Sequence, residues 1–394
     1  MEKENEIKTM VPTLRFPEFR EQTGWEVEFL SNILDYERPD NFIVETETYG
    51  EEGIPVLTAN KSFILGYTRE STGIYVNLPV IIFDDFTTDK KYVDFPFKVK
   101  SAAIKILHTK HTDILRFIYE LMNQITFEAK EHKRYYISTY QRIQVPLPKE
   151  EEQQKIADCL SSIDDLIEAT AQKVKTLKEH KKGLMQRLFP AKGKNVPDLR
   201  FPEFQGMKGW EKKQVKDFGE VITGNTPSKK EGKYWKGDFV WVTAQDFKGK
   251  YINDSILKLT KFGKDKARVI PKDSVLVTCI ASIGLNAINK VECSTNQQIN
   301  TICCNKEYYY EYVYYLVTYN TKNLKQLAGQ TAVPIITKKS FEEFEVYAID
   351  NYDEQQKIAD SLSSLDELIE VISRKVEILK EYKKGLMQQL FPKI

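Results

Sequence analysis

Histidine and cysteine are scarce in this chain: four and five residues among 394. Cys159, Cys279, Cys293, Cys303 and Cys304 include no Cys-x-x-Cys pair, which removes the commonest zinc and redox motifs. An odd number of thiols behind a charged start, "MEKENEIKTM", points to reduced, mostly buried cysteines in a cytoplasmic protein. His108 and His111 have no further ligands near them in sequence, so no metal site is expected. Long hydrophobic runs are also missing. The most apolar stretch, Val275 to Ile288, contains Thr, Ser and Asn and is too short to cross a bilayer; it reads as buried strand. Motifs for chemistry are absent: no GxxxxGK[ST], no GxSxG, no HExxH, and no Pro-Pro dipeptide of the kind that marks amino-methyltransferases. Asp40 with Glu128 and Lys130, or Asp198 with Glu231 and Lys233, resembles a nuclease carboxylate set only by chance spacing in a chain with 29% charged residues. No catalytic residue is expected.

What the chain does contain is repetition. "QQKIADCLSSIDDLIE" from Gln153 returns as "QQKIADSLSSLDELIE" from Gln355, and 28 of 40 positions match between residues 151–190 and 353–392. A second pair, "PTLRFPEF" from Pro12 and "PDLRFPEF" from Pro197, is each followed by Gly-Trp (Gly24-Trp25, Gly209-Trp210). The two repeats are offset by different amounts, so the stretches between them differ in length as well as in sequence. The plan is a variable unit (1–150), a shared segment (151–190), a second variable unit (191–350) and the shared segment again (351–394). Net charge is +1, but it is unevenly spread: the first 85 residues are acidic, whereas 86–150 and 191–350 are basic.

The shared segment has the period of a coiled coil. Ile156, Leu160, Ile163, Ile167, Thr170, Val174, Leu177, Lys181, Leu184 and Leu188 step by alternating fours and threes, as do Ile358, Leu362, Leu365, Ile369, Ile372, Val376, Leu379, Lys383, Leu386 and Leu390. Asn351 and Glu354 read as a capping box, and Phe-Pro closes both copies. The chain enters the first helix from one unit and leaves it into the other. The two helices therefore pair antiparallel within the chain, each spanning roughly 57 Å at 1.5 Å per residue. Lys181 and Lys383 interrupt the seam at matching places, which costs stability and fixes register. Gly183 and Gly385 fall outside the seam. Either the last turn frays there, or another protein approaches closely.

The variable units read as mixed α/β, with strands at Gly53–Asn60, Tyr75–Phe86, Phe97–Leu107, Phe239–Phe247, Ser274–Gly284 and Asn300–Asn305, and helices at Thr112–Ile125 and Glu307–Asn320. Several stretches carry the residue types that meet nucleic acid. "TPSKKEGKYWKG" offers Thr226, Ser228, Lys229, Lys230 and Lys233 for phosphates, and Tyr234 and Trp235 for stacking. Asn296, Gln297 and Gln298 are amides of the kind that pair bidentately with adenine. Lys133, Arg134, Tyr135 and Tyr136 interleave charge with aromatics, Lys90 and Lys91 lie in a mixed loop, and Gln330 occupies the matching place in the second unit.

Two dissimilar units, each followed by "EQQKIAD.LSS.D.LIE" and "KKGLMQ.LFP" and opened by "LRFPEF…GW", with "GNTPSKKEGKYWKGDFVWVT" and "STNQQI" in the second, resemble the specificity subunit of type I restriction-modification enzymes over essentially the whole chain. The resemblance implies two α/β target recognition domains separated by an antiparallel coiled coil, reading the halves of a split double-stranded DNA target without catalysis. It also implies methyltransferase subunits, two in number, docking on the helices and using S-adenosylmethionine, and restriction (motor-nuclease) subunits using ATP and Mg. Gly183 and Gly385 are then candidate docking positions. A coiled-coil scaffold with two protein-binding heads and a stand-alone nuclease are the competing readings.

Overall fold

The computed structural model describes residues 10–60, 62–129, 131, 133–191, 193–328 and 333–393. The chain divides into two compact units. Unit 1 holds residues 1–171 with 374–394, and unit 2 holds 172–373. The four helices that matter are α1 (Leu115–Gln124), α2 (Glu150–Leu188), α3 (Tyr310–Gln326) and α4 (Tyr352–Leu390). The duplicated segments are α2 and α4, each 39 residues long, and each contributes one half to each unit.

Unit 1 is built on an antiparallel four-stranded sheet in the order Leu34–Glu37, Ile104–Thr109, Val80–Asp84, Lys90–Val93. In strand Val80–Asp84 the first four residues are apolar and buried on both faces, as expected of a central strand covered on both sides. Ile81, Phe83 and Leu107 face a core shared with Leu115, Ile118 and Leu121 of α1, while Val80, Ile82 and Ile106 face a second core that includes Leu57, Tyr75 and Val99. A smaller sheet of Ile64–Thr68, Ile54–Leu57 and Lys98–Val99 completes the variable part. The single strand expected over Phe97–Leu107 is two strands, Lys98–Val99 and Ile104–Thr109, in different sheets. The interruption is a turn beginning at Ser101, whose carbonyl accepts from the Ile104 amide.

Unit 2 has a five-stranded sheet in the order Gly219–Thr223, Ile299–Cys304, Ser274–Thr278, Asn286–Asn289, Tyr251–Ile252, and a three-stranded one of Leu257–Leu259, Trp235–Val242 and Ser294–Thr295. The aromatic run that begins α3 goes inward: Tyr312 and Tyr315 are fully buried beside Val313 and Leu316.

Where the variable part meets the long helices, the units repeat each other. Each has a two-stranded antiparallel ribbon, Glu26–Phe29 with Gln144–Leu147 in unit 1 and Glu211–Gln214 with Glu345–Ala348 in unit 2. The Phe of the closing Leu-Phe-Pro meets the Trp of Gly-Trp edge-on: Phe391 on Trp25 at 6.1 Å and Phe189 on Trp210 at 5.6 Å between ring centroids. In unit 1 the Leu14 amide donates to the Gln389 carbonyl, and in unit 2 the Leu199 amide donates to that of Arg187.

The helices pair antiparallel in each unit. In unit 1, the first half of α2 lies against the last half of α4, where Lys383 Nζ reaches Asp164 at 2.7 Å and Glu120 of α1 at 3.1 Å. In unit 2, Lys181 pairs with Asp366. The two seam lysines are thus neutralised by aspartates at equivalent places in the opposite helix. Of the seam residues, Ile156, Leu160, Leu188, Ile358, Leu362, Ile369, Ile372, Val376 and Leu390 are buried, whereas Ile163, Ile167, Val174, Leu177, Leu365 and Leu379 are half-buried, as befits only two helices. Gly183 and Gly385 sit inside unbroken helix, so fraying is not the reason for them, and a Cβ added at either would meet nothing within 4 Å.

Candidate nucleic-acid interface

The base of each unit is a clamp assembled from both repeats. Arg15 of "LRFPEF" makes a bidentate pair with Glu152 (Nε–Oε1 2.8 Å, Nη2–Oε2 2.7 Å) and donates to the carbonyls of Gln22 and Thr23. Arg200 does the same with Glu354 at 2.8 and 2.7 Å and with the carbonyls of Met207 and Lys208. The next residue of the helix repeat, glutamine, holds the variable part. Gln153 Oε1 accepts from the Ile114 amide at the start of α1, and Gln355 Oε1 accepts from the Tyr309 amide at the start of α3. The expected capping box is therefore half formed: Asn351 accepts from the Glu354 amide, but the Glu354 carboxylate turns to Arg200 instead of back to the cap. Lys155 and Lys357 reach Glu18 and Glu203 at 3.1 and 3.3 Å. The arginine–glutamate and lysine–glutamate pairs could not be read from periodicity, because each joins residues more than a hundred positions apart; the recurrence of the two motifs together is the available signal.

In unit 2 the clamp carries two loops that the sequence separates by about seventy residues and the fold brings together. Thr226 Oγ1 donates to Gln297 Oε1 at 2.7 Å. The contact needs glycine at 224, where a Cβ would lie 2.1 Å from Thr295 Oγ1 and 2.3 Å from the Asn296 carbonyl. Asn225 braces a third strand of chain: its Oδ1 accepts from the Arg268 amide and its Nδ2 donates to the Lys266 carbonyl. Asn296 Nδ2 donates to Gln298 Oε1 at 3.0 Å, and Asn296 Oδ1 accepts from the Gln298 amide. Lys229, Lys230 and Ser228 are exposed, and neither lysine has an ion pair among the described residues. These are cations and amides on one rigid surface, the combination that grips phosphates and touches base edges.

Other expected contacts are placed differently. Trp235 is half-buried; its Nε1 donates to the Ser228 carbonyl and its ring meets Trp241 edge-on at 4.9 Å, so it props the loop from beneath. Tyr234 is half-buried under Lys233, which also pairs with Glu231 at 3.6 Å. In unit 1, Tyr135 and Tyr136 are core residues and not the surface stacking groups expected from their sequence. Both rings are buried, against Phe127 and against Tyr36 and Phe83, and have no free face for a base. Lys90 also turns inward: its Nζ donates to Tyr140 Oη at 3.1 Å, and burial pushes its amine down to about 8. Lys91 is half-buried, and Arg134 and Lys133 are exposed, the latter paired with Glu131 at 2.7 Å. Gln330 lies outside the described residues. Among the described residues no cluster of three or more His, Cys, Asp or Glu could hold a metal, and no helix is long and apolar enough to cross a membrane.

Comparison with known proteins decides the family. The model of the type I restriction modification DNA specificity domain matches residues 22–179 and again 207–381. The chain belongs to that family. It is 30% identical to the EcoR124I/EcoR124II specificity subunit of Escherichia coli over 94% of this chain and 96% of that protein. It is 35% identical to the MjaIX specificity subunit of Methanocaldococcus jannaschii over 47% of this chain and 44% of that one. The fold is that of the type I restriction-modification S subunit from M. genitalium (TM-score 0.67, 16% identity, covering 98% of this chain and all of that one). A chain from a study of complex assembly in the type I system matches at TM-score 0.57 and 14% identity, over 96% and 98%. As a specificity subunit this chain is non-catalytic and confers DNA sequence specificity on a restriction-modification complex.

Proposed function

We propose that the two variable parts each read one half of a bipartite, asymmetric DNA target, and that the duplicated helices carry the methyltransferase subunits. The observation that supports this most directly is the repeated clamp: two parts with different sequences are mounted on copies of one helix by the same arginine, glutamate and glutamine. A reader of two unrelated half-sites needs that combination. In the assembled cytoplasmic complex, two methyltransferase subunits hold S-adenosylmethionine, and the restriction subunits hold ATP and Mg. Mapping methylated adenines in a cell that expresses this chain with its partners tests the reading: a split motif with two half-sites is expected, and an uninterrupted motif, or none, sinks it.

On the DNA side, the double variant Lys229→Ala/Lys230→Ala is expected to weaken binding to all sequences alike and to lower the slope of log K against log salt by about 2, near one unit per lost phosphate contact. Titration at several salt concentrations measures this; an unchanged slope moves the phosphate surface elsewhere on unit 2.

On the partner side, Gly183 and Gly385 have space around them within this chain. Gly183→Ala and Gly385→Ala should each stabilise the isolated chain by about 0.5–1 kcal/mol, because glycine is the poorer helix former. If a methyltransferase backbone approaches there, the added methyl should weaken its binding by roughly 5- to 150-fold, corresponding to an overpacking cost of about 1–3 kcal/mol. Thermal melts and a subunit titration read the two effects separately, and unchanged subunit affinity places the docking surface elsewhere.

A further inference from the structure

With Tyr135, Tyr136 and Lys90 turned inward, unit 1 has no reading surface where its sequence suggested one. Its topology supplies another. The larger sheet of unit 1 sets Leu34–Glu37, Ile104–Thr109, Val80–Asp84 and Lys90–Val93 side by side, all antiparallel. Unit 2 sets Gly219–Thr223, Ile299–Cys304, Ser274–Thr278 and Asn286–Asn289 in the same order and directions, with Tyr251–Ile252 added at the edge. The small sheets match as well. In each, a central strand (Ile54–Leu57 or Trp235–Val242) has an antiparallel neighbour on one side and a parallel one on the other. Two parts with unlike sequences therefore share one fold.

Strand register makes the equivalence exact to the residue. Leu57 pairs with Val99, and Val242 pairs with Thr295. One position on, the Lys100 amide donates to the Leu57 carbonyl at 3.0 Å, and the Asn296 amide donates to the Val242 carbonyl at 3.1 Å. Lys100 thus stands where Asn296 stands, and Ser101 where Gln297 stands. Both loops are braced alike, by a side-chain oxygen that accepts from the amide two residues on: Ser101 Oγ from Ala103, and Asn296 Oδ1 from Gln298. Beyond the anchoring carbonyls the central strands continue as Thr58-Ala59-Asn60 and Thr243-Ala244-Gln245, each ending on an amide. Asn60, Lys100, Ser101 and Gln245 are exposed. Lys100 Nζ stands 5.4 Å over the Tyr49 ring and has no ion pair among the described residues. It brings positive charge to a unit whose first 85 residues are acidic. We propose that unit 1 meets its half-site with Asn60, Lys100 and Ser101, and that unit 2 meets its own with Gln245 as well as the Gln297 loop. Lys100 and Ser101 are the specificity-determining residues of unit 1. At the same two places of the fold, unit 2 presents amides, which donate and accept, whereas Lys100 only donates. Different hydrogen-bonding groups at one place of a shared scaffold are what unlike half-sites require. This rests on the DNA-reading role of the two units proposed above.

The test uses the complex of the full chain with its methyltransferase subunits, and duplexes carrying the mapped target with every base pair varied in turn. Sequence-specific binding by the unaltered complex comes first; if it fails, the DNA-reading role fails before any residue of unit 1 is at issue. The unit 1 half-site is the one that survives exchange of residues 210–350. Given that binding, Lys100→Ala/Ser101→Ala is expected to lower affinity for the target about 5- to 150-fold, the range of one specific base contact. Preference among bases should flatten at one or two positions of the unit 1 half-site, while the unit 2 half-site keeps its own. Asn60→Ala should act on the unit 1 half-site alone, and Gln245→Ala on the unit 2 half-site alone. Lys133→Ala/Arg134→Ala, in the basic stretch that the sequence favours, should leave every base preference unchanged. All of these side chains are exposed, so the variants keep the fold, and a melt confirms it. A loss equal for every sequence would make Lys100 a phosphate contact and overturn its role as a reader. Base preferences that stay fixed in Lys100→Ala/Ser101→Ala, or that move in Lys133→Ala/Arg134→Ala instead, overturn the proposal.

Discussion

Exchange of residues 210–350 for the corresponding stretch of a relative is expected to replace one half of the methylated target outright and to leave the other half as it was. The stretch lies wholly within unit 2. It carries the loops around Thr226, Arg268 and Gln297, but neither Arg200 nor Glu354, which stay behind to seat the newcomer. Specific sites outcompete non-specific DNA by about 10³- to 10⁷-fold. The old half-site should therefore lose most of that advantage, and the new one should gain it. Sequencing of methylated adenines in cells carrying the chimaera reads both halves together. A chimaera that altered both half-sites, or kept both, would mean that the two variable parts do not read independently.

The second large effect is on stability. Arg200 and Glu354 are both largely shielded, with side-chain exposures of 10% and 1%, and Arg15 and Glu152 similarly so, at 7% and 2%. Removing one member of such a pair strands the other charge away from water, a loss of about 3–5 kcal/mol. For a unit of this size, each kcal/mol is worth roughly 2–4 °C in Tm, so Glu354→Ala should lower the melting of unit 2 by about 6–20 °C. Glu152→Ala should do the same to unit 1. Removing both partners together, as in Arg200→Met/Glu354→Leu, should recover much of the loss, because no uncompensated charge remains. Calorimetry of the single and double variants checks this; a single variant that melts with the parent would show that the pair is open to water.

The heptads are legible because a period of 3.5 residues is written in one continuous segment, and the central strand Val80–Asp84 because four successive positions, Val80 to Phe83, are apolar and buried. The interface was only partly legible. Thr226 and Gln297 were both singled out, but their contact depends on Gly224 closing onto Thr295, which has no local signature. Tyr135 and Tyr136 misled because interleaved charge and aromatics look the same on a surface as at the edge of a core. What separates the two is Asp85, whose carboxylate accepts from the Tyr136 amide and whose carbonyl accepts from the Tyr135 amide, drawing both rings inward. The inward turn of Lys90 toward Tyr140 is another pairing across fifty residues.

The clamp also determines what the variable parts are free to become. Arg15 and Arg200 grip the carbonyls of residues 22 and 23 or 207 and 208; Gln153 and Gln355 grip the amides of residues 114 or 309 and the carbonyls of residues 148 or 349. Those are main-chain atoms, which every amino acid supplies except for the missing N–H of proline. At these contacts the socket asks the incoming domain for a path of backbone, whatever side chains that backbone carries, while Glu120 and Tyr315, which bond Lys383 and Asp366, are places where it asks for a side chain. Mutation can therefore rewrite the DNA-facing loops without loosening the arginine and glutamine contacts of the joint.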